Sequence, residues 1–302
     1  MTGRGPAVGI DLGGTGPRVV VLDGDEVVAR VSRATPTGFG TRTGAVDFLV
    51  SAAAPLLTKT GPGPLSVGIG ASGPIDVDGV IRNPATLPGF SGVALLDGLQ
   101  QRLGAQTVAI DNDAVTAALY DTRRGVAAGR GSALVVTLGT GVGTCVVRDH
   151  APWRGADGVH PEAGHLTVDG GAPCYCGRTA CWEQVAARSA LQRSAERLVP
   201  GTAGAAAIDA VVDRSAAGDH AARELFEDFG SHVAAGLADL LTVHRCECVV
   251  LGGGGARYAS AFLPAVRDGL GRVVDCFPMP ELLVSDSDAY AGAVGAALLV
   301  AG

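Results

Sequence analysis

One histidine and three cysteines lie close together near the middle of the chain. His165 precedes Cys174 by nine positions, and Cys176 and Cys181 complete the group. One imidazole and three thiolates form a complete tetrahedral ligand set for zinc, with no position left for an activated water. We therefore predict a structural Zn²⁺ site held by His165, Cys174, Cys176 and Cys181, which orders its loop and takes no part in hydrolysis.

Carboxylates follow two apolar runs that have the length of strands. Asp11 ends the first run, and Asp111-Asn112-Asp113 follows another run and precedes a predicted helix. Transfer of a phosphoryl group to an alcohol needs a carboxylate that accepts the hydroxyl proton, a contribution of about 10²–10⁴ in rate. We predict that Asp113 is this base, that Asn112 binds a sugar and that Asp11 holds Mg²⁺ through water. Either aspartate alone would also suit a helix cap or a turn.

Glycine-rich turns occur where a phosphate chain would need close approach to the backbone. Gly13-Gly14-Thr15 follows the first strand-like run, and Gly139-Thr140-Gly141 follows a later one. One such turn is more often a plain hairpin, but the recurrence predicts a pair of phosphate-binding turns. A third run, Gly252 to Gly255, suits the adenosine of a nucleotide or a flexible turn. The predicted nucleotide-binding residues are Asp11, Gly13, Gly14, Thr15, Gly139, Thr140, Gly141, Gly253 and Gly254.

The elements that carry these residues occur twice in the same order. An apolar run, a glycine and threonine turn and a second apolar run extend from Ala7 to Leu22 and again from Ala133 to Val147. Helical stretches separate the copies, which predicts two similar α/β lobes that face one another across a ligand cleft. We place a small N-terminal lobe at residues 1–115 and a large lobe with the zinc loop at 116–288. A C-terminal helix at 289–302 is expected to pack on the first lobe.

The composition excludes several classes of partner. The chain has 302 residues, of which 47% are hydrophobic, and carries a net charge of −7. Because it lacks a basic field, we expect no nucleic-acid partner. The first six residues lack the apolar core of a signal peptide, and the final apolar run, 289–301, is too short to span a bilayer. We therefore expect a cytoplasmic protein with no membrane partner.

The cysteine count favours metal binding over disulfides. Seven cysteines are an odd number, and three of them belong to the predicted zinc site, which suits a reducing compartment. The other four lie in or beside apolar runs, where a small buried thiol is the usual outcome. These four cysteines are Cys145, Cys246, Cys248 and Cys276.

Taken together, the motifs resemble those of the ROK family of sugar kinases and repressors, which includes bacterial glucokinases. The segments that carry the resemblance are Gly9 to Thr15, Asn112 to Ala114, Leu138 to Gly143, Glu162 to His165 and Cys174 to Glu183. The resemblance implies a two-lobed actin-like, ribonuclease-H-like fold. It also implies ATP and Mg²⁺, phosphorylation of the 6-hydroxyl of a hexose such as glucose, and a homodimer or homotetramer.

The resemblance assigns sugar binding to side chains from several motifs. These residues are Asn112, Glu162, His165 and Glu183. A ligating histidine usually donates its second ring nitrogen to an acceptor, and for His165 a sugar hydroxyl would suit. The family's sugar loop departs from its usual pattern, because Thr86 stands where an asparagine is common. Asn83, in the same loop, is a candidate to compensate. Two further departures are Gly16 in place of a lysine or asparagine and Ala180 in place of a glycine.

These departures leave the substrate open. A shorter side chain at Thr86 suits an amino sugar, another epimer or a sugar-like cyclitol. A catalytically silent sugar-binding regulator of the same family is a further alternative, whereas a repressor would need a helix-turn-helix module and the residues before Gly9 are too few for one. Backbone turns bind phosphate chains in general, so polyphosphate is an alternative donor, although the third glycine run favours ATP.

Overall fold

A computed structural model describes most of the chain. The described residues are 5–14, 16–36, 38, 39, 43–61, 63–170, 172–273 and 278–301. Two of the residues discussed above, Thr15 and Cys276, lie outside them. The chain forms two compact units. The first consists of Met1–Ala128, His150–Pro161 and Ser287–Gly302, and the second of Gly129–Asp149 and Glu162–Asp286.

Strands and helices alternate along much of the chain. The strands are β1 (Ala7–Gly13), β2 (Gly16–Asp23), β3 (Glu26–Ser32), β4 (Ser66–Ala71), β5 (Thr107–Asn112), β6 (Ser132–Leu138), β7 (Val142–Arg148), β8 (Ala151–Pro152), β9 (Cys248–Gly252) and β10 (Glu281–Val284). The helices are α1 (Gly44–Leu57), α2 (Leu95–Leu103), α3 (Asp113–Arg123), α4 (Glu183–Ala186), α5 (Arg188–Leu198), α6 (Ala205–Ala216), α7 (His220–His244), α8 (Gly253–Ala256), α9 (Ala259–Val273) and α10 (Ala291–Leu298).

The first unit is built on a mixed sheet in the order β3-β2-β1-β4-β5. Strand β1 pairs antiparallel with β2 and parallel with β4, which in turn pairs parallel with β5. Helix α10 lies directly on this sheet, since a Cβ atom placed on Gly9 or Gly68 would be 1.8 Å from a backbone oxygen of α10. Glycine at these positions therefore permits the close approach of helix and sheet. The boundary predicted at residue 115/116 stays a prediction; the first compact unit continues to Ala128.

The second unit repeats this plan with strands in the order β10-β9-β6-β7. Strand β6 pairs antiparallel with β7 and parallel with β9, and β9 pairs parallel with β10. A large apolar core lies among its helices, where the rings of Phe229 and Phe262 meet edge to face at 5.0 Å between centroids. In the part of the chain that the structure describes, no helix is both long and apolar enough to cross a bilayer.

Two predicted elements differ in the structure. Strand β1 runs on to Gly13, so Asp11 lies inside the strand and not at its end as predicted. The reason is that Arg18 stands opposite Asp11 in the β1–β2 pairing and offers it a charged partner within the ladder. The third glycine run is also not a flexible turn, because its residues from Gly253 onwards form the short helix α8.

Candidate active site

The predicted base lies where β5 passes into α3. Asn112 caps this helix, because its side-chain oxygen accepts a hydrogen bond from the backbone N–H of Ala114 at 2.8 Å. Asp113 is the first helical residue, and Ser72 Oγ donates to its Oδ2 at 3.2 Å. Ser72 follows the neighbouring parallel strand β4, so the pair forms at the carboxyl edge of the sheet, where ligands of α/β folds bind. Nothing in the local sequence pattern indicated Ser72.

The electrostatics of this edge favour a cation. Burial and the neighbouring charge of Asp113 raise the pKa of Asp11 to about 6, although Arg18 Nη1 at 3.4 Å opposes the shift. Burial also raises the pKa of Asp113, against the hydrogen bond from Ser72. Two carboxylates with raised pKa values lack sufficient positive charge around them, and a divalent cation would supply it. Asp11 and Asp113 therefore fit a site for Mg²⁺, with Asp11 as the residue that would hold it.

The residue before Asn112 is held by an ion pair that the sequence did not indicate. The guanidinium of Arg154 contacts both carboxylate oxygens of Asp111, and Asp111 Oδ1 accepts the backbone N–H of Asn112 at 2.8 Å. His160 is buried beside this pair, and its Nδ1 has no hydrogen-bond partner among the described residues. Burial lowers the pKa of His160 to about 4, so its imidazole is neutral at physiological pH.

The predicted sugar loop is braced from within. Asn83 Nδ2 donates to the carbonyl oxygen of Gly73 at 2.8 Å, and Asn83 Oδ1 accepts the backbone N–H of Thr86 at 3.0 Å. The amide of Asn83 is thus engaged at both ends inside the loop. Thr86 is exposed, and a Cβ atom placed on Gly14 would lie 3.6 Å from its Cγ2. The loop therefore reaches the first phosphate turn, and Thr86 is the side chain that it presents there.

The second phosphate turn, Gly139 to Gly141, lies at the corresponding edge of the second sheet. Its own backbone closes it, since the N–H of Gly139 donates to the carbonyl oxygen of Gly141 at 2.9 Å. Strands β6 and β9 are parallel neighbours, so this turn and the start of α8 lie at one edge of the sheet. Gly253 adopts a φ of +74°, a conformation that favours glycine. The predicted nucleotide residues of this unit are thereby gathered at a single edge.

The four predicted metal ligands converge. The nearest ligand atoms of His165, Cys174, Cys176 and Cys181 all lie within 4.8 Å of one another. Cys176 Sγ is 3.6 Å from Cys181 Sγ, and Cys174 Sγ is 3.7 Å from His165 Nδ1. Tetrahedral zinc with bonds of about 2.0–2.3 Å separates its ligands by about 3.5–3.8 Å. These residues therefore fit a structural Zn²⁺, which would cross-link the loop without supplying a reactive water.

The second ring nitrogen of His165 faces a residue that the sequence motifs did not indicate. The hydroxyl of Tyr175 lies 3.3 Å from His165 Nε2, and the two rings meet edge to face at 5.3 Å between centroids. Tyr175 is otherwise exposed. In this structure a tyrosine hydroxyl is therefore the partner of His165 Nε2, where we expected a sugar hydroxyl, and sugar binding by His165 stays a prediction.

The two predicted acidic sugar ligands of the second unit lie against strand β7. The backbone N–H of Val142 donates to Glu183 Oε2 at 3.3 Å, and a Cβ atom on Gly141 would lie 2.1 Å from the same oxygen. Glu162 precedes the short 3₁₀ helix Ala163–His165, in which a Cβ atom on Gly164 would be 2.2 Å from the carbonyl oxygen of Val142. A side chain at Gly164 would therefore collide with the backbone of β7, and one at Gly141 would displace the Glu183 carboxylate from its present position.

The predicted site residues fall into two sets. The first unit brings together Asp11, Gly13, Gly14, Asn83, Thr86, Asn112 and Asp113. The second unit brings together Gly139, Thr140, Gly141, Glu162, His165, Cys174, Cys176, Cys181, Glu183, Gly253 and Gly254. The predicted cleft between lobes and the roles of the individual residues stay predictions.

Comparison with known proteins gives a consistent result along the chain. The profile of the ROK family matches residues 7–302. The crystal structure of a ROK hexokinase from Thermus thermophilus is 33% identical, covers 97% of each chain and superposes with a TM-score of 0.85. A ROK family glucokinase from Streptomyces griseus, solved with glucose and AMPPNP, is 30% identical over 98% of this chain and 99% of its own, with a TM-score of 0.78. An N-acetylmannosamine kinase of Shigella boydii is 30% identical over 97% of both chains. The predicted α/β, actin-like and ribonuclease-H-like fold class is confirmed.

Proposed function

The chain belongs to the ROK family and is an ATP-dependent sugar kinase, and we propose that it phosphorylates the 6-hydroxyl of a hexose such as glucose. The membership that the motifs indicated is confirmed. The observation that carries the proposal is the placement of Asp113, which starts a helix at the carboxyl edge of the first sheet and is oriented by Ser72. A primary alcohol is the most accessible hydroxyl of a hexose, and a single fixed carboxylate can deprotonate it.

The proposed reaction needs one proton acceptor and charge compensation. As the sugar oxygen forms its bond to the γ-phosphorus and the bond to ADP breaks, the hydroxyl proton passes to Asp113. The raised pKa of Asp113 makes its carboxylate a stronger proton acceptor than an ordinary aspartate. Mg²⁺, when bound with ATP, neutralises phosphate charge, and Asp11 would hold it at this edge. Sugar hydroxyls would be bound by Asn112, Glu162, His165 and Glu183.

The remaining assignments support this function without taking part in the chemistry. Structural Zn²⁺ at the histidine and cysteine cluster would brace the loop that carries Glu162, His165 and Glu183. A homodimer or homotetramer and a cytoplasmic location remain predictions from the family resemblance and the sequence.

An amino-sugar kinase is the second candidate function. Thr86 is exposed beside the first phosphate turn, and its side chain is shorter than the asparagine that is common there. The room left by this residue would accommodate an N-acetyl group or another epimer. The 30% identical relative from Shigella boydii is named an N-acetylmannosamine kinase, which makes the alternative concrete.

A substrate panel tests both candidates. ADP release is coupled to a spectroscopic readout with glucose, mannose, N-acetylglucosamine, N-acetylmannosamine, 6-deoxyglucose and myo-inositol, and the product is identified by ³¹P and ¹³C NMR. We expect the highest kcat/KM with glucose, a 6-phosphate product and no turnover of 6-deoxyglucose. A preference for N-acetylmannosamine would establish the second candidate. Sugar binding without turnover of any compound would overturn the proposal and favour a catalytically silent regulator. Replacing ATP with polyphosphate in the same assay tests the phosphoryl donor.

A further inference from the structure

Arg188 begins helix α5 beside the second phosphate turn. The next residue, Ser189, ties the helix to that turn through two contacts: its backbone N–H donates to the carbonyl oxygen of Gly139 at 3.3 Å, and its Oγ donates to the carbonyl oxygen of Thr140 at 2.6 Å. The start of α5 and the turn thus form one piece of structure. A side chain at position 188 is within reach of any phosphate held by the turn.

The side chain of Arg188 extends across the second glycine segment of the same edge. A Cβ atom placed on Gly254 would lie 3.1 Å from Arg188 Cδ and 3.2 Å from its Nε, and one placed on Gly255 would lie 3.3 Å from Arg188 Cβ. Arg188 therefore bridges the turn after β6 and the start of α8 after β9. The part of the third glycine run that we assigned to adenosine is covered by a cationic side chain.

The guanidinium of Arg188 has no acidic partner. In the described part of the chain, no carboxylate oxygen lies within 4.0 Å of it, and its polar contact is a donation from Nη1 to Gln192 Oε1 at 3.4 Å. The residue is half-buried. By contrast, Arg18 and Arg154 of the first unit pair with Asp11 and Asp111. A half-buried cation without a counter-charge is costly unless an anion joins it, and a planar guanidinium suits a phosphate group.

We propose that Arg188 binds a phosphate group of ATP and so fixes the nucleotide against the second sheet. The proposal rests on the ATP dependence of the kinase and not on the identity of the sugar. A phosphate in the turn Gly139 to Gly141 receives the guanidinium of Arg188 from the side of α5 and backbone N–H donors other than that of Gly139, which donates to Gly141. Because this contact exists before the reaction begins, its loss weakens nucleotide binding more than it lowers kcat.

The test measures nucleotide binding in the absence of sugar. Dissociation constants for adenosine, ADP and ATP are determined by titration calorimetry with Mg²⁺ for the wild-type chain, Arg188→Gln, Arg188→Lys and the control Arg197→Gln. Arg197 lies on the same helix, is exposed and contacts Ser194. We expect Arg188→Gln to weaken ADP and ATP binding by about 10- to 100-fold and to leave adenosine unchanged. Lysine keeps the charge without the bidentate geometry, so Arg188→Lys should recover part of the affinity, and Arg197→Gln should match the wild type.

Two outcomes would overturn the proposal. Equal weakening of adenosine and ATP would show that the guanidinium stacks on the base, and unchanged ATP affinity in Arg188→Gln would show that it has no nucleotide role. If Arg188→Gln fails to fold, the proposal is tested on the wild-type chain with phenylglyoxal, which modifies accessible arginine side chains. MgATP should protect the peptide that contains residue 188 and adenosine should not, whereas no protection by MgATP refutes the proposal. Failure of the hexose assignment would appear as an absence of turnover with nucleotide binding intact, so the two proposals fail separately.

Discussion

The two units contain the same hairpin with different chemistry around it. In each, an antiparallel strand pair is joined by a glycine and threonine turn, and the first strand of the pair has a parallel neighbour on its other side. When the sequences Asp11-Leu12-Gly13 and Thr137-Leu138-Gly139 are aligned, Asp11 corresponds to Thr137. The carboxylate of the first hairpin is thus a neutral hydroxyl in the second. The two hairpins therefore share their strand pairing and differ in charge at this position.

The turns and their surroundings follow the same division. Strands β1 and β2 pair up to Gly13 and Gly16, whereas β6 and β7 pair up to Leu138 and Val142, so the second turn is one residue longer. The first unit places Asp113 beside Asp11. The second places Arg188, which has no carboxylate partner among the described residues, beside its glycine segments, and the thiol cluster beside Glu183, which accepts the N–H of Val142. We propose that proton transfer and Mg²⁺ belong to the first unit, and that the second unit binds phosphate and, through zinc, orders its own loop with Glu162, His165 and Glu183.

The largest expected effect on activity and stability comes from removing the zinc site. Among the described residues, this cluster lies in the second unit and has no counterpart in the first. Cys176→Ser should reduce zinc from about one ion per chain to well below that level, with loss of activity and of thermal stability in the same sample. Elemental analysis and thermal melting measure the two quantities. Cys246→Ser, which removes a buried thiol outside the cluster, should keep its zinc. Active wild-type protein without metal would contradict the assignment.

The second prediction concerns the base of the first unit. Asp113→Asn keeps the size of the side chain and removes its ability to accept a proton, so kcat should fall by about 10²–10⁴-fold. Sugar affinity, measured by calorimetry, should change little. Asp97→Asn, an exposed acid in the first turn of α2, serves as the matched control and should retain full activity. If kcat of Asp113→Asn equals that of the wild type, the proton passes to another group.

The features that could be predicted from the sequence are those formed by residues close together along the chain. The ligand set from His165 to Cys181 spans seventeen positions, and its spacing alone indicated a cluster that the structure closes to within 4.8 Å. The two glycine runs were likewise visible as short patterns, and the helix predicted from Ala114 begins one residue earlier, at Asp113. Such features depend on residues that are neighbours along the chain, so they can be recognised without knowledge of the tertiary structure.

Contacts between distant segments were beyond that reasoning. Ser72 and Asp113 are 41 positions apart, and Arg154 and Asp111 are 43 apart, so only the packing of strands and loops reveals them. Arg18 is different, because once Gly13 pairs with Gly16, counting back along both strands places Arg18 opposite Asp11. We ended the strand at Asp11 and therefore missed it. Nothing in the sequence shows that the loop uses the amide of Asn83 internally, and sugar binding by Asn83 stays a prediction.

A third prediction concerns the pH dependence of stability, in which Asp11 should differ from Thr137, its uncharged counterpart in the second hairpin. A carboxyl group whose pKa is raised to about 6 in the folded chain, against 3.8 ordinarily, destabilises the fold when ionised. This penalty is fully present above pH 6 and disappears below about pH 4. Asp11→Asn should therefore raise the free energy of unfolding at pH 7.5 by about 1–3 kcal/mol without ligands, and should show no gain at pH 4. Its activity should nevertheless fall, because Mg²⁺ loses the carboxylate that would hold it through water.

Urea unfolding at the two pH values measures this difference. Thr137→Val, at the matched position of the second hairpin, removes no titrating group and should show no pH-dependent change relative to the wild type. A gain for Asp11→Asn that is equal at both pH values would mean that the ionised carboxylate is not the cause. Full activity of Asp11→Asn would remove Asp11 from the Mg²⁺ site.

The smallest expected effect is on the free energy of unfolding, from substitutions in the loop of the second unit that carries Cys174, Cys176 and Cys181. Ala180, next to the ligand Cys181, has a φ of 60°, a left-handed conformation that costs a residue with a Cβ atom about 1–2 kcal/mol. Ala180→Gly relieves this strain but increases the freedom of the unfolded chain, so the free energy of unfolding should rise by about 0.5–1 kcal/mol. Gly177, with a φ of 85° and open space around it, provides the reciprocal change. Gly177→Ala should lower the free energy of unfolding by about the same amount, measured by urea unfolding of the zinc-loaded protein. A lower free energy of unfolding for Ala180→Gly would mean that packing of the alanine methyl group outweighs the backbone strain.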